Sequence, residues 1–171
     1  MHTKNIKSII VVCTGNICRS PMAEGVLRYK LDQVGLSHIN LSSAGTSGWE
    51  NCTPISYAIQ ACSEIGIDIS ALRSAPISEQ MIQDADLVLA MEKYHVNEMV
   101  NKYNAPAEKL MLFGDFYSEN SGMDIQDPYG MSLDFYREIL NIICQCSDTI
   151  INKLLIIKES SKNMFPIILN V

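Results

Sequence analysis

Two kinds of block alternate along the chain. Short continuous apolar runs, Ile9-Ile10-Val11-Val12 and Leu87-Val88-Leu89-Ala90-Met91, have the length and branched content of strands buried on both faces. Between them lie stretches whose apolar residues recur every three or four positions, as on one face of a helix. The pattern predicts strands near Ser8–Val12, Ile39–Ser43, Leu87–Met91 and Lys109–Phe113. It predicts helices over Pro21–Val34, Pro54–Ile65, Glu79–Ala85, Glu92–Tyr103 and Leu133–Leu154. The first helix carries Ala23, Val26, Leu27, Leu31 and Val34 on its apolar face and ends at Gly35. The last carries Leu133, Tyr136, Ile139, Leu140, Ile143 and Ile150. Ala44–Trp49 and Ile67–Ser78 are expected to be irregular, and Gly114–Gly130 a long loop. Lys158–Asn163 is expected to be a loose polar tail, with Phe165-Pro166-Ile167-Ile168-Leu169 a candidate for docking on the body. Such alternation belongs to an α/β domain with a parallel sheet, right-handed crossovers and a ligand crevice beyond the strand C-termini.

The end of the first strand carries the most specific chemistry. Cys13-Thr14-Gly15-Asn16-Ile17-Cys18-Arg19-Ser20-Pro21 reads as strand, tight loop, helix. Ser20 suits a helix N-cap and Pro21 the first helical position, where its missing N–H costs nothing. Loop amides and the positive helix end then converge on one point, which makes an anion site. Cys13 lies at that point, beside the guanidinium of Arg19, and both influences favour a thiolate nucleophile. The planar fork of Arg19 can hold two oxygens of a phosphoryl group. Gly15 frees the turn, and Asn16 tolerates a left-handed backbone while its side chain ties the loop together. Ser20 can also donate to the sulfur.

Length and composition bound the picture. The chain has 171 residues, enough for one domain with one core, and 47% hydrophobic and 19% charged residues are ordinary for a globular protein. A net charge of −6 argues against nucleic acid as the partner. No apolar stretch is expected to span a bilayer, and the N-terminal apolar run is too short for a signal peptide, so the chain is expected in the cytoplasm without a membrane partner. The six cysteines are then reduced thiols; with no Cys-x-x-Cys pair and three scattered histidines, no metal is expected. Cys52, Cys62, Cys144 and Cys146 are read as structural thiols, His2, His38 and His95 as residues without a role, and Glu92 as an acid favoured at a helix start.

A thiolate that attacks phosphorus needs an acid to protonate the leaving oxygen. The long loop offers Asp127-Pro128-Tyr129, with Pro128 stiffening the backbone after the acid and Tyr129 as a wall for a flat ring. With both pieces in view, the chain resembles the low-molecular-weight protein tyrosine phosphatases from about Ile6 to Leu154. The matching motifs are Cys-x-Gly-Asn-x-Cys-Arg-Ser-Pro, Ser43-Ala44-Gly45-Thr46 and Asp127-Pro128-Tyr129, and Met91-Glu92-Lys93-Tyr94-His95 is similar to bacterial members.

The resemblance implies a three-layer α/β/α sandwich around a four-stranded parallel sheet, with one catalytic domain over residues 1–157 and a tail over 158–171. It implies phosphotyrosine hydrolysis without metal or other cofactor, through a cysteinyl-phosphate on Cys13. Arg19 would bind the phosphoryl oxygens with the loop residues Thr14, Gly15, Asn16, Ile17 and Cys18. Asp127 would be the acid and then the base, and Ser20 would steady the departing thiolate. Asn16 and Ser43 would hold the loop, while Trp49 and Tyr129 would grip the substrate ring. Cys18 matches a cysteine that in many members pairs reversibly with Cys13 on oxidation. The implied partner is a tyrosine-phosphorylated protein, with a bacterial tyrosine kinase as one candidate, and the chain is expected to be a monomer. Leu72 stands where many bacterial members carry a His that supports the loop Asn, which predicts a less rigid loop. Three alternatives remain. Protein arginine phosphatases have Thr where this chain has Ile17. Arsenate reductases need cysteines that Ala90–Lys102 lacks. A weakly active phosphate-binding regulator is the third.

Overall fold

The strand β1 (Ser8–Cys13) has two cores, one on each face. Ile9, Val11 and Cys13 enter one, and Ile10 and Val12 the other, all nearly or fully buried. That is why this segment is apolar without alternation. The computed structural model describes residues 6–117 and 122–163. In it, β1 lies between β2 (Asn40–Gly45) and β3 (Leu87–Ala90), and β4 (Leu110–Leu112) flanks β3. All pairings are parallel, with Cys13 opposite Gly45 and Val12 opposite both Ala44 and Ala90.

Helices α1 (Arg19–Gln33), α2 (Ser56–Glu64) and α5 (Leu133–Asn163) cover the first core. Helices α3 (Glu79–Asp84) and α4 (Lys93–Tyr103) cover the second through Ile82 and Met99. The result is the expected three-layer α/β/α sandwich. Chain direction across the sheet reverses between β1 and β3, and the loops leaving those two strands open a crevice there.

Three expectations need correction. Ala44 and Gly45 belong to β2, because Gly45 pairs with Cys13 and also bridges to Pro76, its N–H donating to the Ala75 carbonyl at 2.9 Å. Lys158–Asn163 is helical, since α5 runs 31 residues to Asn163 and crosses the 157/158 boundary. Nothing in Leu133–Asn163 breaks a helix, and the first proline beyond it is Pro166. The docking segment Phe165–Leu169 lies outside the described residues. Finally, Leu133–Ser160 has the length and apolarity of a membrane span, contrary to the reading of the sequence. Its Tyr136, Ile139, Leu140, Ile143, Ile150 and Leu154 are instead buried in the core beside α1. Truncating one of these, such as Ile143→Ala, costs about 2–5 kcal/mol.

Helix α1 stops as the sequence predicts. Gly35 takes a φ of +68°, the Leu36 N–H returns to the Leu31 carbonyl at 2.9 Å, and the Gly35 N–H to that of Asp32 at 3.3 Å. This double closure requires a left-handed residue, which glycine supplies without strain.

Candidate active site

The five residues between β1 and α1 wrap the Cys13 sulfur. The Asn16 N–H donates to Sγ at 3.3 Å, and Ser20 Oγ lies 3.0 Å from it. Asn16 adopts the left-handed backbone its type allows, with φ +54°. Its side-chain amide gives its two protons to Ser20 Oγ at 2.9 Å and Ser43 Oγ at 2.8 Å, and its oxygen accepts the Ala75 N–H at 2.9 Å. Ser43 passes its own proton to buried Glu24 at 2.7 Å, and Arg28 closes that chain on Glu24 at 2.7 Å. The continuation of β2 lashes the loop from the side, Thr46 N–H to the Cys13 carbonyl at 3.0 Å and Ser47 N–H to that of Thr14 at 2.9 Å. Gly45 permits this approach, since a Cβ there would lie 2.7 Å from the Thr14 carbonyl oxygen.

Ser20 is not the helix cap. α1 begins one residue earlier, at Arg19, with no side chain capping it. The Ser20 hydroxyl is taken up by Cys13 and Asn16, so Pro21 sits third in the helix, where its missing N–H still costs nothing.

Arg19 is 1% exposed and gripped from several sides. Nη1 donates to Glu92 and, at 2.9 Å, to the Ile125 carbonyl. Nη2 reaches Asp127 Oδ2 at 2.5 Å and Thr14 Oγ1 at 3.3 Å. Its buried Nε–H has no partner among the described residues. A guanidinium fixed this way keeps its plane and leaves a donor for an anion.

Asp127 also accepts the Tyr129 N–H at 3.1 Å, and the Pro128 carbonyl accepts from Met131 at 2.9 Å, which turns the chain back. Tyr129 and Trp49 are 58% and 49% exposed and face the same cleft of about 210 Å³. Cys13, Thr14, Gly15, Ile17, Cys18, Arg19 and Asp127 line that cleft together with Ser47. Asn16, Ser20 and Ser43 stand behind it as supports. All six cysteines are free. The buried Cys18 thiol meets the Tyr136 hydroxyl at 3.2 Å and is pushed up to about 11, by burial above all.

This is a phosphate cradle with a sulfur at its floor and a carboxylate at its rim. The model of the low molecular weight phosphotyrosine protein phosphatase family matches residues 8–160. The chain belongs to that family. Like its other members it is a phosphoric monoester hydrolase acting on phosphoproteins. Similar relatives include the protein-arginine-phosphatase of Bacillus subtilis, 35% identical over 130 residues, covering 76% of this chain and 85% of that protein. The low molecular weight protein-tyrosine-phosphatase Etp of Escherichia coli K12 is 31% identical over 147 residues, covering 86% and 94%. Among solved structures, the low molecular weight protein tyrosine phosphatase from T. tengcongensis superposes with a TM-score of 0.79 at 36% identity, covering 85% of this chain and 98% of that one.

Four supports of this phosphatase site, and Ser47 on its wall, are not among the residues the sequence points to. Glu92, a helix-start acid by its sequence position, also anchors Arg19. His95, to which the sequence assigns no role, is 0% exposed and joins Glu92 to Thr14. Its imidazole is pushed below the ordinary histidine range by burial and then by Arg19. Glu24 holds Ser43, and Tyr136 holds Cys18. One signal was in the sequence for two of them: Glu92 and His95 have capping-box spacing.

Proposed function

We propose that the chain hydrolyses phosphotyrosine in proteins through a cysteinyl-phosphate, with Cys13 as nucleophile, Arg19 as phosphoryl clamp and Asp127 as acid and base. The observation that carries this reading is the convergence of three groups on one cleft. They are a sulfur held by Asn16 N–H and Ser20, a buried fixed arginine, and a carboxylate 2.5 Å from that arginine.

In the first step the Cys13 thiolate attacks phosphorus. The S–P bond forms, the P–O bond to the tyrosine breaks, and Asp127 gives its proton to the leaving phenolate oxygen. The loop N–H groups and the Arg19 fork hold the equatorial oxygens, where charge is redistributed in the transition state. In the second step Asp127 takes a proton from water as the water oxygen attacks phosphorus. The S–P bond breaks, and the Ser20 hydroxyl hydrogen-bonds the departing thiolate. Inorganic phosphate leaves and the enzyme is restored. Besides the substrate and that water, the two steps use only groups of the protein.

Two exposed aromatic walls, Trp49 and Tyr129, favour a flat aryl ester over a short serine ester. Ile17, 7% exposed on the cleft wall, gives no hydroxyl to a polar guanidinium, which favours phosphotyrosine over phosphoarginine. The arginine phosphatase reading draws on the similarity to the Bacillus subtilis enzyme. A tyrosine-phosphorylated protein, among them a bacterial tyrosine kinase, is the proposed partner, and the reducing cytoplasm the proposed location, since the nucleophile must stay a thiol.

The deciding experiment is release of phosphate from a phosphotyrosine peptide and a phosphoarginine peptide, with chelator present. Release from phosphotyrosine alone supports the reading. Preference for phosphoarginine moves the substrate to the second reading. No release from either overturns both and leaves a phosphate-binding protein.

A further inference from the structure

Helix α4 begins beside the phosphate loop and sends two struts into it. One is Glu92, gripping Nη1 of Arg19. The other is His95, three residues on, fully buried and used by no step of the reaction.

The hydrogen bonds around His95 fix its tautomer. The Glu92 N–H donates to Nδ1 at 3.1 Å, so Nδ1 carries the lone pair and the ring proton is on Nε2. Nε2–H therefore donates to Thr14 Oγ1, 2.9 Å away. Thr14 Oγ1 also receives Arg19 Nη2 at 3.3 Å. Both acceptor sites of that hydroxyl are then filled. Among the described residues nothing accepts its own O–H, and Thr14 lines the cleft.

We propose that His95 is a positioning residue of the phosphate loop, acting through Thr14: it forces the Thr14 hydroxyl to be a donor toward a phosphoryl oxygen and steadies the Nη2 side of the Arg19 fork. The proposal rests on the phosphatase reading only for its kinetic readout. The neutral ring is essential, because a protonated Nδ1 cannot accept the Glu92 N–H. The charged groups around the ring divide. Arg19, from the helix after the loop, opposes protonation; Glu92 and Glu98, from the region of α4, and Asp127, from the long loop, favour it.

Asparagine and glutamine separate the two halves of the imidazole. His95→Asn offers an acceptor near the Nδ1 position and keeps the bond to Glu92, but falls short of Thr14. His95→Gln offers an N–H near the Nε2 position and keeps the bond to Thr14, but loses the Glu92 contact. Turnover of a phosphotyrosine peptide, affinity for inorganic phosphate and melting temperature are measured for both, for Thr14→Val, and for His95→Asn combined with Thr14→Val. The expected result is a kcat loss of about 10-fold or more in His95→Asn and in Thr14→Val, as for other residues that orient a reacting group. The double variant loses no more than Thr14→Val alone, because His95 acts only through that hydroxyl. His95→Gln recovers most of the kcat and the phosphate affinity even if it melts lower than His95→Asn. Equal losses in Asn and Gln, additive losses in the double variant, or losses that follow the melting temperature overturn the proposal. If the wild type turns over no phosphopeptide, the phosphatase reading falls on its own. The order of phosphate affinities, wild type and Gln above Asn, still decides the role of His95.

Discussion

Asp127 Oδ2 and Arg19 Nη2 are 2.5 Å apart, the arginine 1% and the aspartate 41% exposed. The two groups that the reaction needs around one phosphoryl group therefore touch each other across the cleft. Their exposure says which one yields. Arg19 is held from behind by Glu92 and the Ile125 carbonyl, whereas Asp127 sits on a loop at the rim. A phosphoryl group entering the cradle takes the Nη2 donor and leaves Asp127 beside the ester oxygen. Asp127→Asn is then expected to slow poor aryl leaving groups by about 10²–10⁴-fold and activated ones far less. It is also expected to tighten binding of inorganic phosphate, because a competing carboxylate is gone. A kcat series across aryl phosphates of rising leaving-group basicity checks this, and a uniform loss across the series removes Asp127 from the acid's role.

Cys13→Ser should end turnover and leave the fold intact. The side chain is 2% exposed and small, and the loop around it is fixed by bonds to Asn16, Ser43 and Ala75 that do not involve the sulfur. A serine hydroxyl stays protonated at neutral pH and is a far weaker nucleophile than a thiolate. The check is single-turnover kinetics beside a melting curve; residual turnover near the wild-type rate would end the nucleophile assignment.

Leu72→His should not raise activity. The expectation of a less rigid loop rests on the histidine that Leu72 replaces. The Asn16 amide is in fact satisfied by Ser20, Ser43 and the Ala75 N–H, while Leu72 packs partly buried against the core. Activity is expected within about twofold of wild type, because nothing bound in the transition state changes. Ser43→Ala is the contrasting variant. It strips a donor from buried Glu24 and an acceptor from Asn16, and leaving such groups unpaired costs about 1–3 kcal/mol each. A lowered melting temperature together with a lowered kcat is expected, and an unchanged protein would show that the loop is held elsewhere.

The cradle was legible in the sequence because its parts are local. Strand end, left-handed Asn16, Cys13 and Arg19 fall within seven residues, and each does what its type does best. What escaped was built across the chain. Glu92 and His95 reach the loop from more than seventy residues away, and no local rule links a helix-start acid to one particular arginine. Ser20 misled for a related reason: its cap signal is real, but a sulfur and an amide folded over it compete for the same hydroxyl. The sequence reading ends α5 at Leu154, although Leu155, Ile156 and Ile157 follow it directly. Once formed, a helix gains one hydrogen bond for each residue it adds, and with no glycine or proline before Pro166 it continues to Asn163.

His95 also gives the protein an acid sensitivity whose sign can be worked out. Burial and Arg19 lower its folded-state pKa, while in the unfolded chain it titrates at the ordinary value of about 6.5. Above that value the ring is neutral in both states and contributes nothing to the pH dependence. As pH falls below about 6.5, the unfolded state takes up a proton that the folded state refuses, so stability falls until the folded pKa is passed. His95→Gln carries no titrating ring and should lose less stability over the same interval. Denaturant unfolding of both proteins at a series of pH values from neutral to mildly acidic, in constant salt, reads the difference. The wild-type curve should fall away from that of the variant only below about pH 6.5. Parallel curves would mean that His95 titrates in the folded protein as it does in the unfolded chain, and that its ring is not sealed between Glu92 and Thr14.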